Sequence, residues 1–393
     1  MERFDFLCST RVIFGRGRFA ELGALAGSLG RCALVIGNGP DAAQADGPAH
    51  RAGEMLTAAG LKWAFLRQTG EPRAADVERG VELGRRMGCD VVVGLGGGSA
   101  IDAAKAVAGV LANGGSPLDY MEIVGEGLKF ARPAIPWIAV PTTAGTGAEV
   151  TRNAVIACPE KHFKASLRSE HLAARVALVD PELGAGVSEE VTARCGMDAL
   201  CQLVESYTSK AAGPVTDALA IKGIGLAGGS LWRAYCHPGD LDARSDMALA
   251  ALLSGMALAN AGLGAVHGFA APLGANFPIP HGVVCAALLP HVMSANVQAL
   301  RRESPEHPWL WRYARIGEAI TGQHALGLGA VEAGIRSVGD LVARLNIPSL
   351  GRFGLAQRDI PGMVVLAKQS GSMKYNPVTL SDELLGEVLR KAL

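Results

Sequence analysis

The stretch Val91–Ala106, VVVGLGGGSAIDAAKA, decides the predicted fold of this chain. It begins with a β-branched apolar run, which is typical of a strand that is covered on both faces of a parallel sheet. Glycines at positions 94, 96, 97 and 98 then predict a turn. Ser99, with Asp102 three residues later, matches a capping box, and this pair predicts a helix that begins at Ser99.

The glycine turn of this stretch is a candidate phosphate-binding site. Gly96, Gly97 and Gly98 allow the backbone to come close to a phosphate, and the amides at the start of the following helix offer hydrogen bonds and a favourable dipole. The usual pattern Gly-x-Gly-x-x-Gly is not matched, because Ser99 stands where the third glycine would be. On this stretch alone, a dinucleotide site and a tight turn without a ligand both stay open.

Short strands and helical segments alternate on both sides of the turn. The hydrophobic pattern predicts strands at residues 10–14, 32–38, 62–66, 90–95, 137–140 and 175–179, and helices at residues 48–60 and 74–87. Beyond residue 186, long segments with helical spacing replace the β-branched runs. We therefore predict a doubly wound α/β dinucleotide-binding domain at residues 1–185 and an all-α domain at residues 186–393.

The composition excludes several classes of function. The 393-residue chain contains 37 Lys and Arg residues and 37 Asp and Glu residues, so it has no charge bias toward nucleic acid. Its eight cysteines form no Cys-x-x-Cys pair, which argues against a zinc ribbon and against a secreted disulfide framework. The sequence shows neither a signal-peptide pattern nor an uninterrupted apolar run of membrane-spanning length. These features predict a soluble cytoplasmic protein with no nucleic-acid or membrane partner.

Two further stretches carry polar groups in positions that are typical of a site. Residues 141–153, PTTAGTGAEVTRN, follow a predicted strand and offer four threonine hydroxyls at the edge where parallel sheets bind ligands. In residues 196–210, GMDALCQLVESYTSK, the side chains of Asp198, Gln202 and Glu205 recur at helical spacing and share one face. The alternatives are an ordinary polar connection in the first case and a solvated polar stripe in the second.

Two histidines lie in an apolar run that is punctuated by glycines and prolines, residues 262–290, GLGAVHGFAAPLGANFPIPHGVVCAALLP. They are His267 and His281. An imidazole that is removed from water has two ring nitrogens to satisfy. The two histidines are therefore either hydrogen-bonded core residues or ligands, and their spacing alone leaves both possibilities open.

Several long motifs in a fixed order resemble the iron-containing (group III) alcohol dehydrogenase family. They are GGGSAIDAAKA at 96–106, PTTAGTGAEVT at 141–151, KASLRSEHLAARVALVDPEL at 164–183, GMDAL at 196–200 and AVHGFAAPLGANFPIPHGVVCAALLPHV at 265–292. The likeness extends to SMKYNP at 372–377 and so covers nearly the whole chain. It implies an enzyme that interconverts a small alcohol and its aldehyde or ketone by metal-assisted hydride transfer with NAD or NADP. It also implies a homodimer.

The same resemblance implies which residues form the site. A divalent metal, iron(II) with zinc or manganese as alternatives, would be held by the residues that match the family's four ligands: Asp198, Gln202, His267 and His281. The two histidines are also the predicted catalytic residues. The predicted cofactor-binding residues lie in the glycine turn, in the threonine-rich loop and at a few other positions: Asn38, Gly96, Gly97, Gly98, Ser99, Asp102, Thr142, Thr143, Thr146 and Lys164.

Three positions depart from the family pattern. Gln202 stands where the family has a histidine, and because an amide oxygen is a weaker donor than imidazole, the metal could be weakly held or absent. Ala271, four residues after His267, replaces a histidine that is a candidate proton relay. Asn38 stands where relatives that prefer NAD have an aspartate, so NADP is not repelled, although the nearby Asp41 could compensate.

These departures favour two alternatives to an alcohol dehydrogenase. The first is a metal-independent enzyme that resembles the maleylacetate reductases and reduces an unsaturated keto acid. Asp198 argues against it, because that branch usually has an asparagine there. The second is a non-hydride enzyme similar to the dehydroquinate synthases, or a protein that binds a cofactor without catalysis. We rank the alcohol dehydrogenase first.

Overall fold

The structure, a computed structural model, describes residues 3–38, 47–122, 125–158, 163–324 and 326–393, except for the side chains of Phe163 and Lys164. The chain divides into two compact units. The α/β unit comprises Cys8–Thr143 and Gly147–Gly186. The helical unit comprises Val187–Leu393, together with Ala144–Thr146 and the segment that ends at Leu7.

A parallel sheet forms the centre of the α/β unit. Its strands are β1 (Arg11–Phe14), β2 (Cys32–Gly37), β3 (Lys62–Arg67), β4 (Val91–Gly96), β5 (Trp137–Pro141) and β8 (Val176–Val179), in the spatial order β1-β8-β5-β4-β2-β3. Two more strands, β6 (Asn153–Cys158) and β7 (Phe163–Arg168), form a separate antiparallel pair. The helices of this unit are α1 (Leu22–Gly27), α2 (Pro48–Ala58), α3 (Ala74–Met87), α4 (Gly98–Asn113) and α5 (Pro117–Tyr120).

Alternate residues of the central strands pack on opposite faces of the sheet. On β2, Leu34 and Ile36 belong to the core that α3 and α4 cover, whereas Ala33 and Val35 belong to the core that α1 and α2 cover. Because both faces are buried, these strands are apolar throughout. This arrangement confirms the prediction of a doubly wound α/β fold for this part of the chain.

The strand order reverses between β2 and β4. From β2 the chain moves outward to β3, returns past β2 to β4, and then continues in the other direction to β5. Ligands of open α/β sheets bind beyond the carboxyl ends of the strands at such a point. Asn38 at the end of β2 and the glycine turn after β4 meet there, where the backbone N–H of Asn38 donates to Leu95 O at 3.3 Å.

The helical unit consists of long helices around one apolar core. They are α6 (Glu189–Thr208), α7 (Pro214–Cys236), α8 (Leu241–Ala261), α9 (Ala265–Asn276), α10 (His281–Glu303), α11 (Pro308–Thr321), α12 (Gly329–Arg344), α13 (Ile360–Lys368) and α14 (Asp382–Lys391). By length and composition α10 could cross a membrane, but 83 % of its apolar window is buried inside the protein. It packs against α6, α9, α12 and α14 and is the core helix of this unit.

The predicted strands all lie within one residue of the observed ones, and the predicted helical second half is confirmed. One pair of strands and the bounds of two helices were not predicted. The antiparallel pair β6–β7 lies where the sequence suggested only a loop and a connection. The punctuated run at residues 262–290 forms α9 and the first turns of α10, although Pro272 and Pro290 lie inside these helices.

Candidate metal centre and cofactor loop

Three helices bring a carboxylate and two imidazoles together in the helical unit. Asp198 lies on α6, His267 on α9 and His281 at the first position of α10. Asp198 Oδ1 lies 3.4 Å from His267 Nε2 and 3.5 Å from His281 Nε2. Asp198 and His267 are buried, whereas the side chain of His281 is 44 % exposed. A small molecule can therefore approach the cluster from the side of His281.

A sharp turn between α8 and α9 delivers His267 to this cluster. The two helices meet at 99°, and the turn begins at Gly262, whose φ of 71° favours glycine. Gly264 permits a close approach, because a Cβ there would lie only 2.9 Å from both Glu205 Oε1 and Asn376 Oδ1. The glycines that punctuate this run thus allow α9 to pack closely against α6.

The carboxylate of Glu205 fixes the ring of His267. Glu205 Oε2 lies 2.7 Å from His267 Nδ1, and the backbone N–H groups of Val266 and His267 donate to the two carboxylate oxygens at 2.7 and 3.3 Å. With Nδ1 bonded to a carboxylate, Nε2 is the nitrogen that faces Asp198. A carboxylate behind an imidazole in this way orients metal-binding histidines and raises their basicity. The sequence placed Glu205 on the face of Asp198 but assigned it no role.

Asp198 Oδ1 is a buried oxygen that accepts no hydrogen bond from the described part of the chain. Such an atom costs free energy unless an ion or a polar ligand satisfies it. Together with two imidazole nitrogens, it forms a donor set that suits divalent first-row metals. The residues of the cluster therefore fit the metal that the family resemblance implies.

The ionisable groups of the cluster shift one another's pKa values. Burial by itself would raise the pKa of the Asp198 carboxyl, but the imidazoles of His281 and His267 outweigh burial and hold this pKa well below its usual value. The neighbouring Cys285 and Asp198 in turn raise the pKa of His281 to about 10, so its imidazole carries a proton that a metal must displace. Asp198 is therefore ionised at physiological pH, which is the form that binds a metal.

Gln202, the predicted fourth ligand, is buried one helical turn after Asp198. Its Oε1 accepts a hydrogen bond of 2.7 Å from the hydroxyl of Ser254 on α8. This bond occupies one of the two lone pairs of the amide oxygen. Ala271, one turn after His267, is exposed, and its methyl group offers nothing to a proton relay.

Cys285 is a neighbour of the cluster that the sequence did not indicate. It lies one turn after His281 on α10, and it is fully buried. Its Sγ lies 3.7 Å from His267 Nε2 and 3.6 Å from His281 Nε2. The ligand atoms of Asp198, His267, His281 and Cys285 all lie within 4.8 Å of one another. Because residues four apart share one face of a helix, the spacing from His281 would indicate Cys285 once this run is known to be helical.

In the α/β unit, the glycine turn and the start of the threonine-rich loop lie side by side. Gly96 has a φ of 154°, and a Cβ at this position would clash with Asn38 Oδ1. The backbone N–H of Thr142 donates to Gly96 O at 2.9 Å, and a Cβ at Gly97 would lie 3.2 Å from Thr143 Oγ1. The turn therefore requires glycine at position 96 and leaves bare backbone, to which a phosphate can come close.

Asn38 joins the carboxyl ends of β2 and β4. Its Oδ1 accepts a hydrogen bond from the backbone N–H of Gly97 at 3.0 Å, and its Nδ2 donates to Gln68 O at 3.2 Å. The side chain of Asn38 therefore positions the glycine turn, and this role does not depend on a contact between Asn38 and a ribose. This contact spans 59 residues of sequence, and no local pattern indicates it.

The predicted capping box of Ser99 and Asp102 is wrong. The helix α4 begins at Gly98 with Gly97 as its N-cap, and no side chain caps it. Asp102 instead accepts the backbone N–H of Val155 at 3.1 Å. The reason is that Asn38 already accepts the hydrogen bond of the Gly97 N–H, while β6 and Lys105 occupy the carboxylate of Asp102.

The other predicted cofactor residues lie elsewhere or beyond the description. Thr146 belongs to the helical unit. Lys164 lies in β7, but its side chain is outside the described part of the chain, as is the whole of Asp41. Within the described α/β unit, the structure brings Asn38 and the first two threonines of the loop next to the glycine turn.

The sequence is similar to known proteins over its whole length. Residues 9–181 match the family described as iron-containing alcohol dehydrogenase, and residues 192–393 match the C-terminal domain of the Fe-containing alcohol dehydrogenase family. The chain is 37 % identical to alcohol dehydrogenase 4 of Saccharomyces cerevisiae, over 87 % of this chain and 86 % of that one. It is 32 % identical to NAD-dependent methanol dehydrogenase of Bacillus methanolicus, over 99 % of this chain and 100 % of that one. A crystal structure of 1,3-propanediol oxidoreductase superposes with a TM-score of 0.91, at 33 % identity over the full length of both chains.

Proposed function

Because this chain belongs to the iron-containing alcohol dehydrogenase family, we propose that its hydride transfer takes place at a divalent metal held by Asp198, His267 and His281. The enzyme interconverts a small-molecule alcohol and its aldehyde. The observation that carries the proposal is the buried Asp198 Oδ1, which faces two imidazole nitrogens and lacks a hydrogen-bond donor among the described residues. A bound divalent ion supplies Lewis-acid chemistry that polarises the oxygen of the alcohol or carbonyl.

The residues of the cluster have separate tasks in this proposal. Asp198 supplies the negative charge, and its ionised form persists because two imidazoles flank it. Glu205 holds the ring of His267 so that Nε2 stays directed at the cluster. His281 lies on the exposed side, where it contacts the substrate as it enters. The donor set suits iron(II), zinc or manganese.

We also propose that NAD or NADP binds at the carboxyl end of the sheet in the α/β unit. The diphosphate contacts the glycine turn, where the first amides of α4 have no partner within the helix. The ribose lies near Asn38, at the point where strand order reverses. The proposed contacts come from the turn, the start of α4 and the threonine-rich loop: Gly96, Gly97, Gly98, Ser99, Thr142 and Thr143. The carboxylate of Asp102 is held by the Val155 N–H instead. Contacts from Thr146 and Lys164 stay predictions.

The assembly and location are proposals of the same kind. We propose a homodimer in the cytoplasm. The strand β1 supports a dimer, because it lies at the edge of the sheet and pairs on one side only, with β8, among the described strands. An unpaired strand edge is a ready template for pairing with another chain.

Metal analysis combined with kinetics tests the proposed function. Protein that is purified without a chelator should contain about one divalent metal per chain and should oxidise short alcohols with NAD or NADP. Removal of the metal should abolish this activity, and added metal should restore it. Undiminished turnover by metal-free protein would refute the metal's role and leave the family assignment intact.

Asn38→Asp should shift the cofactor preference toward NADH. The carboxylate keeps the acceptor for the Gly97 N–H, loses the donor to Gln68 O, and adds a negative charge at the end of β2, where it repels a 2′-phosphate. We expect kcat/KM for NADPH to fall about tenfold relative to that for NADH, which corresponds to about 1.4 kcal/mol. Steady-state kinetics with each cofactor gives the ratio. An equal fall in kcat/KM for NADH and NADPH would mean that Asn38 only positions the turn. Asn38→Ala, which removes the side-chain hydrogen bonds without adding a charge, shows the size of that effect.

A further inference from the structure

We propose that Cys285 Sγ is the fourth protein ligand of the metal, in place of the family ligand position that Gln202 occupies, and that the site therefore prefers zinc to iron(II). This inference rests on the metal site of the proposed function and names the ligand set and the metal. It concerns a side chain that neither the family resemblance nor the sequence pattern assigned to the site.

The distances around Cys285 match the edges of a tetrahedral site. Zinc binds nitrogen and oxygen at about 2.0–2.1 Å and thiolate sulfur at about 2.3 Å, so a tetrahedron has edges of about 3.3 Å between nitrogen and oxygen and about 3.6 Å between sulfur and nitrogen. Asp198 Oδ1 lies 3.4 and 3.5 Å from the two Nε2 atoms. Cys285 Sγ lies 3.7 and 3.6 Å from the same two atoms. Four of the six edges between these atoms thus have lengths close to those of a tetrahedral site, and the other two are no longer than 4.8 Å.

The helical geometry supports the same assignment. His281 and Cys285 are separated by one turn of α10 and present their side chains on the same face. Asp198 and Gln202 have the same spacing on α6, but the oxygen of Gln202 accepts a hydrogen bond from the buried hydroxyl of Ser254. Gln202 thus stands on α6 where the family pattern has an imidazole, and a thiol lies beside His281 on α10. The number of protein donors returns to four.

The chemistry of the donors determines the metal. A thiolate is a softer donor than an amide oxygen, and thiolate with imidazole selects zinc over manganese or iron(II). The thiol proton of Cys285 leaves for solvent when the metal binds. Two anionic ligands, Asp198 and Cys285, then balance the charge of the divalent ion in a buried place, where an unbalanced charge is costly.

Cys201 provides a matched control. It is also a fully buried cysteine, but its Sγ lies 3.9 Å from His267 Nδ1, the ring nitrogen that Glu205 already holds. It therefore lies behind the imidazole and outside the four-atom set. The Cys201 thiol contacts that of Cys285, so the control is Cys201→Ser, which keeps a small hydrogen-bonding group there and removes no proposed ligand.

The experiment uses metal-free protein titrated with cobalt(II), because a thiolate ligand gives cobalt an intense near-ultraviolet charge-transfer band that nitrogen and oxygen ligands do not. The wild type, Cys201→Ser and Gln202→Ala should show the band, whereas Cys285→Ser and Cys285→Ala should lack it. Competition with a zinc chelator measures zinc affinity, which Cys285→Ser should lower at least about tenfold. Substitution of groups that only orient a metal ligand already lowers affinity by this factor, so the loss of a ligand should do so too. X-ray absorption of the wild-type zinc protein should show one sulfur at about 2.3 Å.

The possible results separate this inference from the proposed function. A zinc ion with only nitrogen and oxygen neighbours, whose affinity falls in Gln202→Ala but not in Cys285→Ser, would overturn the assignment of Cys285 and leave the proposed function intact. A wild type that binds no metal would overturn both. If the Cys285 variants do not fold, as judged by circular dichroism, the absorption spectrum of the wild type decides: absence of a sulfur neighbour rejects the proposal.

Discussion

Asp198→Asn is expected to lower kcat/KM for alcohol oxidation by about a thousandfold and to abolish stoichiometric metal binding. The asparagine keeps the size of the side chain but removes the charge that lies between His267 and His281. A catalytic metal provides several kcal/mol of charge stabilisation in the transition state, and each 1.4 kcal/mol or so corresponds to a factor of ten. Metal content and steady-state kinetics at saturating cofactor measure the two effects.

Asp340→Asn is the matched control for this substitution. Asp340 is exposed on α12, so the same change of charge should leave metal content and turnover unaltered. Circular dichroism and cofactor binding should be normal in both variants, because the α/β unit is untouched. A variant at Asp198 that keeps its metal and its turnover would mean that the hydride transfer does not depend on this cluster, and the proposed function would lose its metal.

The fold could be predicted where the pattern that encodes it is local. The strand, turn and helix at Val91–Ala106 are contiguous, and the burial of both sheet faces makes each central strand uniformly apolar. The all-α prediction covers the run that forms α9 and the start of α10, but the boundaries of these helices were not predicted, since Pro272 and Pro290 lie inside them and proline disfavours helix. Packing of α10 as the core helix outweighs that local cost.

The site could be predicted only in part, for the same reason. Asp198, His267 and His281 stand in recognisable motifs, and the structure brings them together. The functions of Glu205 and Cys285 depend on how α6, α9 and α10 approach one another. The four-residue spacing places Cys285 on the face of His281, but it does not show that this face meets Asp198. The capping box failed because a contact from Asn38, distant in sequence, fixes the turn at Gly97.

Lys105→Met is expected to be strongly destabilising, because Lys105 is fully buried and donates three hydrogen bonds. Its Nζ donates to Ala148 O at 2.9 Å, Thr151 Oγ1 at 2.8 Å and Asn153 O at 2.7 Å, and so ties α4 to the end of the threonine-rich loop and to β6. When one member of a buried ion pair is removed, the charge that remains lowers the free energy of unfolding by about 3–5 kcal/mol. Lys105 forms such a pair with Asp102. Urea unfolding should show a loss of this size, and the KM for the cofactor should rise because the loop beside the glycine turn is loosened.

The pH dependence of this loss identifies its cause. Burial raises the pKa of Asp102 and raises that of Glu149 to about 7, and Lys105 opposes burial at both carboxyls. Without the lysine, both should keep their protons to higher pH in the folded protein, whereas in the unfolded chain they ionise near pH 4 or so. An acid whose pKa is higher in the folded state than in the unfolded chain stabilises the folded state at a pH below its pKa in the unfolded chain. This contribution is lost as the pH rises through its pKa in the folded state. The deficit of Lys105→Met relative to the wild type should therefore be larger near about pH 8 than near about pH 5.

Lys62→Met separates this effect from the mere loss of a positive charge. Lys62 is exposed on β3 of the same unit, and surface substitutions of this kind usually change the free energy of unfolding by less than about 0.5 kcal/mol at any pH. A Lys105 variant that matched this control would show that the three hydrogen bonds contribute nothing net. A deficit that was large but independent of pH would show that the lost hydrogen bonds matter and that the charge opposite Asp102 and Glu149 does not. The predicted combination, a large deficit that grows with pH, requires Lys105 to act as both donor and counter-ion in the cofactor half of the enzyme.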